Sequence, residues 1–282
     1  MRLVSLCLIL LLAGVVPAVS GVVTLKELSS IPLVSTPRQV TSTTDGRRMY
    51  VLTQDAKILI YTLGGELQGT LEVDPTIDRI VPLGPNYLLL QKSSKQQAVI
   101  AQVEISQQID TSNSPRLGSP DAPVTITVFD DFECPYCAKT VPLLKQVLEK
   151  YKDKASLVFK NFPLANHRNA RNAALTALAA NQQGKFWEVH DLLYENYNRL
   201  NPKKIDELAA QAGLDMDKLQ QDRSDPLLNE LISRDINEGN SIGVNGTPTV
   251  FINGRLLGER SLAGFSRMID EELTRLGQTS QP

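Results

Sequence analysis

The residues best suited to chemistry in this sequence are Cys134 and Cys137, which are separated by a proline and a tyrosine. A strand-like run of β-branched residues ends just before them, and a helical pattern starts at Pro135. Proline is favoured at the first position of a helix, so we expect Cys134 at a helix N-terminus. The unpaired N–H groups and the helix dipole stabilise a thiolate there. This spacing predicts a redox pair, with Cys134 as the thiolate and Cys137, one turn inward, placed to attack a mixed disulfide formed at Cys134.

Other chemistries for the pair lack the residues that they need. A haem attachment site requires a histidine after the second cysteine, and Ala138 stands there. A zinc site would need two more ligands, and only His167 and His190 remain in the chain. A purely structural disulfide would close a very short loop and gain little in chain entropy. We therefore expect no metal and no bound cofactor, because the Cys134–Cys137 disulfide is itself the redox group.

The first twenty residues predict export. Arg2 precedes an apolar run over 6–16, and Pro17 and the small residues 18–20 follow it, which is typical of a signal peptide. An uncleaved anchor fits less well, because the run is shorter than the ~20 residues that span a bilayer. Cys7 lies within this leader, so its removal leaves one cysteine pair. We expect a periplasmic protein in an oxidising compartment, where a disulfide persists.

Composition excludes several classes of protein. With 42% hydrophobic and 21% charged residues, the chain is neither disordered nor a multi-span membrane protein. A net charge of −2 without a cluster of cations indicates no nucleic-acid partner. Without the leader, roughly 260 residues suggest two domains. A polar stretch with prolines over 110–123 predicts a linker, which we place at 110–115, and all seven phenylalanines follow it. The predicted domains are therefore 21–109 and 116–282.

The region before the linker predicts a small all-β module. Its strand-like runs cover 48–53, 57–63, 67–73, 87–91 and 98–105. The run 57–63 is apolar on both alternating faces. Such a strand either packs against another chain, as in a homodimer, or lies in the interior of a compact sandwich. The module is therefore a candidate for dimerisation or for docking a partner.

The region after the linker predicts an α/β fold with a helical insert. Strands are expected at 124–129 and 157–159, with a helix at 135–151 between them. A helical block follows over 166–240, and Asn253-Gly254 predicts a hairpin over 249–257. A last helix covers 262–276. The order is β-α-β, a helical subdomain, then β-β-α.

Residues 118–275 resemble the DsbA-like thioredoxin-fold thiol:disulfide oxidoreductases. The matching motifs are Gly118-Ser-Pro-Asp-Ala-Pro, Phe-x-Asp-Phe-Glu-Cys-Pro-Tyr-Cys, and the runs 159–164, 183–193 and 243–254. The resemblance implies a thioredoxin fold, with Cys134 as nucleophile and Cys137 as resolving thiol. It also implies that Thr247 and Pro248 form a cis-proline loop facing the cysteines. The extended backbone of Thr247 would then pair with a substrate strand.

One departure from the resemblance concerns proton transfer. Thioredoxins proper carry a buried acid six residues before the nucleophile, where this sequence has Val128. We therefore expect the proton of Cys137 to pass to Glu133, Asp131 or water. Glu133 is expected to be exposed, and Lys160 is expected at a solvated strand end. The residues that could tune the pair are Glu133, Pro135 and Tyr136.

The function that the sequence favours is an exported thiol:disulfide oxidoreductase that donates disulfides to folding proteins. A thiolate favoured at Cys134 stabilises the reduced form and makes the disulfide oxidising. The expected partners are exported clients with thiols or disulfides and a membrane redox protein. One alternative is an isomerase or reductase, because Cys-Pro-Tyr-Cys and an N-terminal dimerisation domain resemble the DsbG type. Another is a redox-gated binding protein that docks its partner through residues 21–115.

Overall fold

A computed structural model describes Lys26 and residues 30–277. The predicted signal peptide at 1–20, with Cys7, lies outside the described residues. The chain divides between Gln102 and Val103 into two compact units, so the stretch 110–115 lies within the second unit. In the part of the chain that is described, no helix combines the length and the apolar character needed to cross a bilayer.

The first unit consists of two antiparallel sheets. One sheet has the order β1-β2-β3-β4, and the other has the order β5-β6-β7. The side-chain amide of Gln39 joins them, since it donates to the Ile80 carbonyl at 2.8 Å and accepts from the Ile80 N–H at 2.8 Å. Strands β1 and β5 are not among the runs that the sequence predicts. The strands are β1 (Pro37–Ser42), β2 (Arg48–Thr53), β3 (Lys57–Thr62), β4 (Leu67–Glu72), β5 (Arg79–Pro82), β6 (Tyr87–Lys92) and β7 (Gln97–Gln102).

Strand β3 is an interior strand that is covered on both faces. It hydrogen-bonds to β2 on one edge and to β4 on the other. Leu59 and Tyr61 on one face pack against Val51 of β2. Ile58 and Ile60 on the other face are at most 2% exposed. The apolar side chains of 58–61 are therefore buried within this chain, whereas Leu63, at the end of the predicted run, is 52% exposed.

The second unit is built on a five-stranded sheet of order β12-β11-β9-β10-β8. The central strands β9 and β10 are parallel, with helix α1 as their crossover, and β11 runs antiparallel to β9. Strands β11 and β12 form the predicted hairpin, in which Asn253 and Gly254 have φ values of 46° and 80°. These elements are β8 (Arg116–Leu117), β9 (Val124–Asp130), α1 (Pro135–Lys150), β10 (Ala155–Asn161), β11 (Thr249–Ile252) and β12 (Arg255–Leu256).

Five helices lie between β10 and β11 in the sequence, and a final helix follows β12. This arrangement is the predicted α/β unit with an inserted helical subdomain, after a small all-β module. The helices are α2 (Ala170–Gln182), α3 (Phe186–Glu195), α4 (Pro202–Gln211), α5 (Met216–Arg223), α6 (Pro226–Ser241) and α7 (Leu262–Arg275).

Strand β9 and helix α1 place the cysteines. The strand is buried along both faces because it lies at the centre of the sheet, and it ends at Asp130. A tight turn follows, in which the Cys134 N–H donates to the Asp131 carbonyl at 3.0 Å. Helix α1 then packs on the sheet through an apolar stripe that includes Val141, Leu144 and Val147. The helix start is thereby held at the carboxyl end of β9.

Candidate active site

Cys134 lies at the N-terminus of α1, next to the loop that contains Thr247 and Pro248. It has an extended backbone (φ −78°, ψ 122°) and directly precedes Pro135, the first residue of the helix. The Thr247–Pro248 peptide bond is cis, and the Thr247 carbonyl oxygen lies 3.4 Å from Cys134 Sγ. Both cysteines are free thiols in this structure. The fold thus brings together the two segments that the sequence singles out.

The surroundings of Cys134 favour its thiolate. A hydrogen bond from the Cys137 thiol makes the largest contribution, and it lowers the pKa of Cys134 to about 5 against the opposing effect of burial. The side chain of Thr247 and the backbone N–H groups of Tyr136 and Cys137 lower this pKa further. At neutral pH Cys134 is therefore a nucleophilic thiolate at the start of a helix.

Cys137 has the opposite character. It is completely buried, and this burial raises its pKa far above the usual range of a thiol. The neighbouring Cys134 and Asp130 raise this pKa as well. A thiol with such a pKa stays protonated, so Cys137 attacks another sulfur only when a base takes its proton.

Asp130, which sequence reasoning missed, is the acid that faces Cys137. Burial raises the pKa of Asp130 to about 7, while interactions with the Cys137 thiol and the Tyr194 hydroxyl lower it. A carboxyl with this pKa takes up or releases a proton near neutral pH. Strand alternation could have found it, because Asp130 lies two residues after Val128 and so shares its face of β9.

Glu133 is not the exposed residue that the sequence predicts. It is half-buried, and its carboxylate accepts hydrogen bonds from the backbone N–H of Asn169 at 2.6 Å and from its side chain at 3.0 Å. Asn169 is the residue that precedes α2. The carboxylate therefore ties the start of α1 to the start of α2, where a negative charge suits the helix dipole.

The Asp131 carboxylate is likewise hydrogen-bonded, and its partners hold the active-site turn. Its carboxylate accepts hydrogen bonds from the backbone N–H groups of Glu133 and Leu164, both at 2.7 Å. His167 Nδ1 lies 2.9 Å from the same carboxylate. Of the three acids near the cysteines, only Asp130 has a carboxylate oxygen without such a partner among the described residues.

Lys160 does not lie at a solvated strand end but is completely buried. Its ammonium group contacts carboxylate oxygens of Asp235 at 2.7 Å and of Glu238 at 2.8 Å, both on α6. It also donates to the Asp110 carbonyl at 2.8 Å. These partners hold α6 against β10, so Lys160 has a structural role. Tyr136, in contrast, is 65% exposed and lies at the surface beside the cysteines.

The two histidines also have partners of their own. His190 is buried among aromatic rings, including Phe132 and Tyr194, and burial lowers its pKa. His167 pairs with Asp131. No three histidine, cysteine or acidic side chains gather as metal ligands anywhere in Lys26 and residues 30–277.

The part of the chain that carries this site is similar to known proteins. A family model described as thioredoxin matches residues 110–271, more than half of the chain. A thioredoxin-like oxidoreductase from Silicibacter pomeroyi is 26% identical with a TM-score of 0.53, over 61% of this chain and 98% of that one. BdbD from Bacillus subtilis is 22% identical with a TM-score of 0.55, again over 61% and 98%. The thiol-disulfide exchange protein alpha-DsbA2 from Wolbachia pipientis is 21% identical with a TM-score of 0.53, over 57% and 87%.

Curated relatives match about half of the chain. The Na(+)/H(+) antiporter NhaA 3 of Salinispora tropica is 34% identical over 154 residues, which are 54% of this chain and 24% of the antiporter. The NhaA antiporter of Herminiimonas arsenicoxydans is 31% identical over 140 residues, 50% of this chain and 22% of that protein. The chain spans about a quarter of the length of these relatives, so the similarity concerns one region of each.

Proposed function

The chain belongs to the thioredoxin family, and on that basis we propose that it is an exported protein thiol:disulfide oxidoreductase that donates disulfides to folding proteins. The observation that carries the proposal is the unequal pair of thiols. Cys134 is stabilised as a thiolate, and the buried Cys137 is held as a neutral thiol. A nucleophile and a resolving thiol require this difference.

The low pKa of Cys134 supports the oxidising direction. Because the thiolate exists only in the reduced protein, whatever stabilises it stabilises the reduced form against the disulfide. The Cys134–Cys137 disulfide then takes electrons readily from the thiols of a client. Exported clients with free cysteines are the proposed substrates, and the periplasm is the proposed compartment.

The exchange proceeds in two balanced steps. A client thiolate attacks Cys134 of the disulfide, and Cys137 leaves as a thiolate that takes a proton from Asp130. A second client thiolate then attacks the client sulfur of the mixed disulfide and releases Cys134 as a thiolate. The client loses two electrons and the cysteine pair gains them. A membrane redox partner is the proposed oxidant that returns the pair to its disulfide.

Trapping experiments test the assignment of the two thiols. We expect Cys134→Ser to abolish exchange with a thiol-bearing peptide, because it removes the nucleophile. Cys137→Ala, given a disulfide-bearing peptide, is expected to accumulate the mixed disulfide at Cys134 with release of the other peptide sulfur, because the resolving thiol is gone. Mass spectrometry of the non-reduced protein detects the adduct. If Cys137→Ala gives no adduct while Cys134 still reacts with iodoacetamide, the proposed roles are wrong.

Equilibration with glutathione tests whether the protein oxidises or reduces its clients, because it gives the reduction potential of the cysteine pair. We expect a potential nearer to the about −120 mV of DsbA than to the about −270 mV of thioredoxin. A potential at the thioredoxin end would favour a reductase.

An isomerase remains the second candidate, because a separate all-β unit precedes the thioredoxin-fold unit. Isomerases of the DsbG type use such a region to dimerise. Here β3 offers no free apolar face, since its side chains are buried in this chain. Sedimentation at several concentrations, together with activity on scrambled and on reduced ribonuclease, separates the candidates. A dimer more active on the scrambled substrate would favour the isomerase.

A further inference from the structure

Tyr194 brings a hydroxyl from the helical insert into the active site. It lies near the end of α3, outside the β-α-β unit that carries the cysteines. Its buried ring packs against the rings of Phe132 and His190, and its centroid lies 4.9 Å from the centroid of each. These aromatic contacts fix the ring, so the position of the hydroxyl is determined by the packing of α3.

The Tyr194 hydroxyl and one oxygen of Asp130 are complementary. The phenol oxygen and Asp130 Oδ2 are both buried, and neither makes a hydrogen bond with any described residue in this structure. The two groups and the Cys137 thiol nevertheless lie close enough to shift one another's pKa. Burial raises the pKa of Tyr194, so the phenol keeps its proton. An ionised carboxylate only accepts hydrogen bonds, and therefore the tyrosine is the donor.

We propose that Tyr194 is a positioning residue of the resolving step, in which its hydroxyl donates a hydrogen bond to the Asp130 carboxylate and sets how readily Asp130 takes the proton of Cys137. This inference rests on the proposed exchange function. In this step, which is the reverse of the first step of client oxidation, the S–H bond of Cys137 breaks and its proton moves to Asp130. The sulfur electron pair forms the bond to Cys134, and the client sulfur leaves as a thiolate with the electrons of the broken disulfide.

Other charged groups around Asp130 do not replace this hydrogen bond. In the mixed disulfide Cys134 carries no charge, because its sulfur is bonded to the client sulfur. Asp131 and His167, on the loops, pair with each other, and burial keeps His190 of α3 neutral. On β10, Lys160 pairs with Asp235 of α6.

The test is the pH profile of the resolving step in Tyr194→Phe, which removes the hydroxyl and keeps the ring. A mixed disulfide between Cys134 and a fluorescent peptide is prepared at low pH, and peptide release is followed from pH 5 to 9. In the unaltered protein we expect the rate to rise as Asp130 ionises, with a midpoint no higher than the pKa of about 7 that Asp130 has beside the Cys134 thiolate. In Tyr194→Phe the midpoint should move up by about one unit, the size expected when a charged group loses one hydrogen bond.

The expected change in the release rate is largest at acidic pH, decreases through neutral pH and disappears at basic pH. At pH 6 the release rate should fall about tenfold, because about tenfold less Asp130 is ionised. At pH 9 the two rates should agree. Alkylation of Cys134 by iodoacetamide should keep its midpoint near 5 in both proteins. A merely structural defect would instead lower the rate at every pH.

Two controls isolate the hydroxyl. Tyr151→Phe removes another buried hydroxyl of the same unit, one that bonds Asp270 at 3.0 Å, and should leave the midpoint unchanged. In an Asp130→Asn background, Tyr194→Phe should produce no further change in the pH profile. Replacing Tyr194 by 3-fluorotyrosine, a stronger donor that keeps the fold, should move the midpoint down.

The inference is overturned if Tyr194→Phe or 3-fluorotyrosine leaves the midpoint in place, or if the shift persists in the Asp130→Asn background. The proposed function fails in a different way. If the unaltered protein forms no mixed disulfide, or never releases the peptide, then exchange itself is refuted, whatever Tyr194 does.

Discussion

Replacing the buried acid by its amide, Asp130→Asn, is expected to make the protein more stable at neutral and basic pH and slower in its resolving step. The carboxyl has a pKa of about 7 in the folded chain, compared with an ordinary 3.8. A group whose folded pKa is raised binds its proton more tightly in the folded state. Its contribution to stability is therefore complete below pH 3.8 and is lost as the pH rises through 7.

The magnitude follows from the size of the shift. A rise of about 3 units corresponds to about 4 kcal/mol of unfolding free energy lost between pH 4 and pH 8. The amide does not titrate, so Asp130→Asn avoids this loss. We expect the variant to gain stability over the unaltered protein by up to about 4 kcal/mol as the pH rises through this range. The resolving step should become about 100-fold slower at pH 7.5, the lower end of what a general base contributes.

Urea titration followed by tryptophan fluorescence measures the stability. Trp187 is the single tryptophan of the chain and lies in α3, so its emission reports on the unit that carries Asp130. The titrations run at pH 5, 6, 7 and 8 with a reductant that keeps both cysteines as thiols. Peptide release from the mixed disulfide, measured on the same samples, gives the rate of the resolving step.

Asp191→Asn is the matched control, and its expected effect on stability at neutral pH has the opposite sign. Burial raises the pKa of Asp191, but hydrogen bonds from His190 and Lys145 outweigh it and hold the pKa below its usual value. This stabilisation is present above the unfolded pKa, so the variant should lose stability at neutral pH and not at low pH. If Asp130→Asn and the unaltered protein show the same pH dependence of stability, the raised pKa of Asp130 is refuted. If the resolving rate is unchanged, its role as the base is refuted.

Three further predictions test the rest of the site and the division of the chain. Iodoacetamide should alkylate Cys134 with a midpoint near pH 5, and a midpoint above 8 would contradict a stabilised thiolate. Lys160→Met should cost about 3–5 kcal/mol in urea titrations, because it leaves Asp235 buried without its partner; an unchanged transition would contradict the structural role. A fragment of residues 103–282 should stay folded and retain the alkylation profile of the whole chain, because the second unit begins at Val103, and circular dichroism checks the fold.

Local sequence patterns predicted most of the elements that place the cysteines. The β-branched run of β9, the Pro135 helix start and the Asn253-Gly254 turn each specify a local conformation, and each lies where it was predicted. Strand β1 (Pro37–Ser42) was not predicted, because most of its residues are polar and half or fully exposed, so it lacks an apolar alternation. Short edge strands of this kind form through their neighbours rather than through their own composition.

The partners of the charged side chains could not be predicted, because they come from distant parts of the chain. Glu133 meets Asn169, which is 36 residues away. Lys160 finds its counter-ions on α6, beyond four helices. Asp130 was missed for another reason. The resemblance directed attention to the residue six places before the nucleophile, whereas burial depends on the face of the strand, which Val128 and Asp130 share.

The two thiols and the acid together divide the exchange reaction into steps with different pH requirements. When the reduced protein meets a client disulfide, attack by Cys134 needs its thiolate, which forms above about pH 5. Resolution by Cys137 needs an ionised Asp130, which forms near pH 7. Between these values the first step is fast and the second is limited by the base. We therefore expect the unaltered protein to accumulate mixed disulfides near pH 6 and to clear them near pH 8, a behaviour that a pair with one shared pKa could not show.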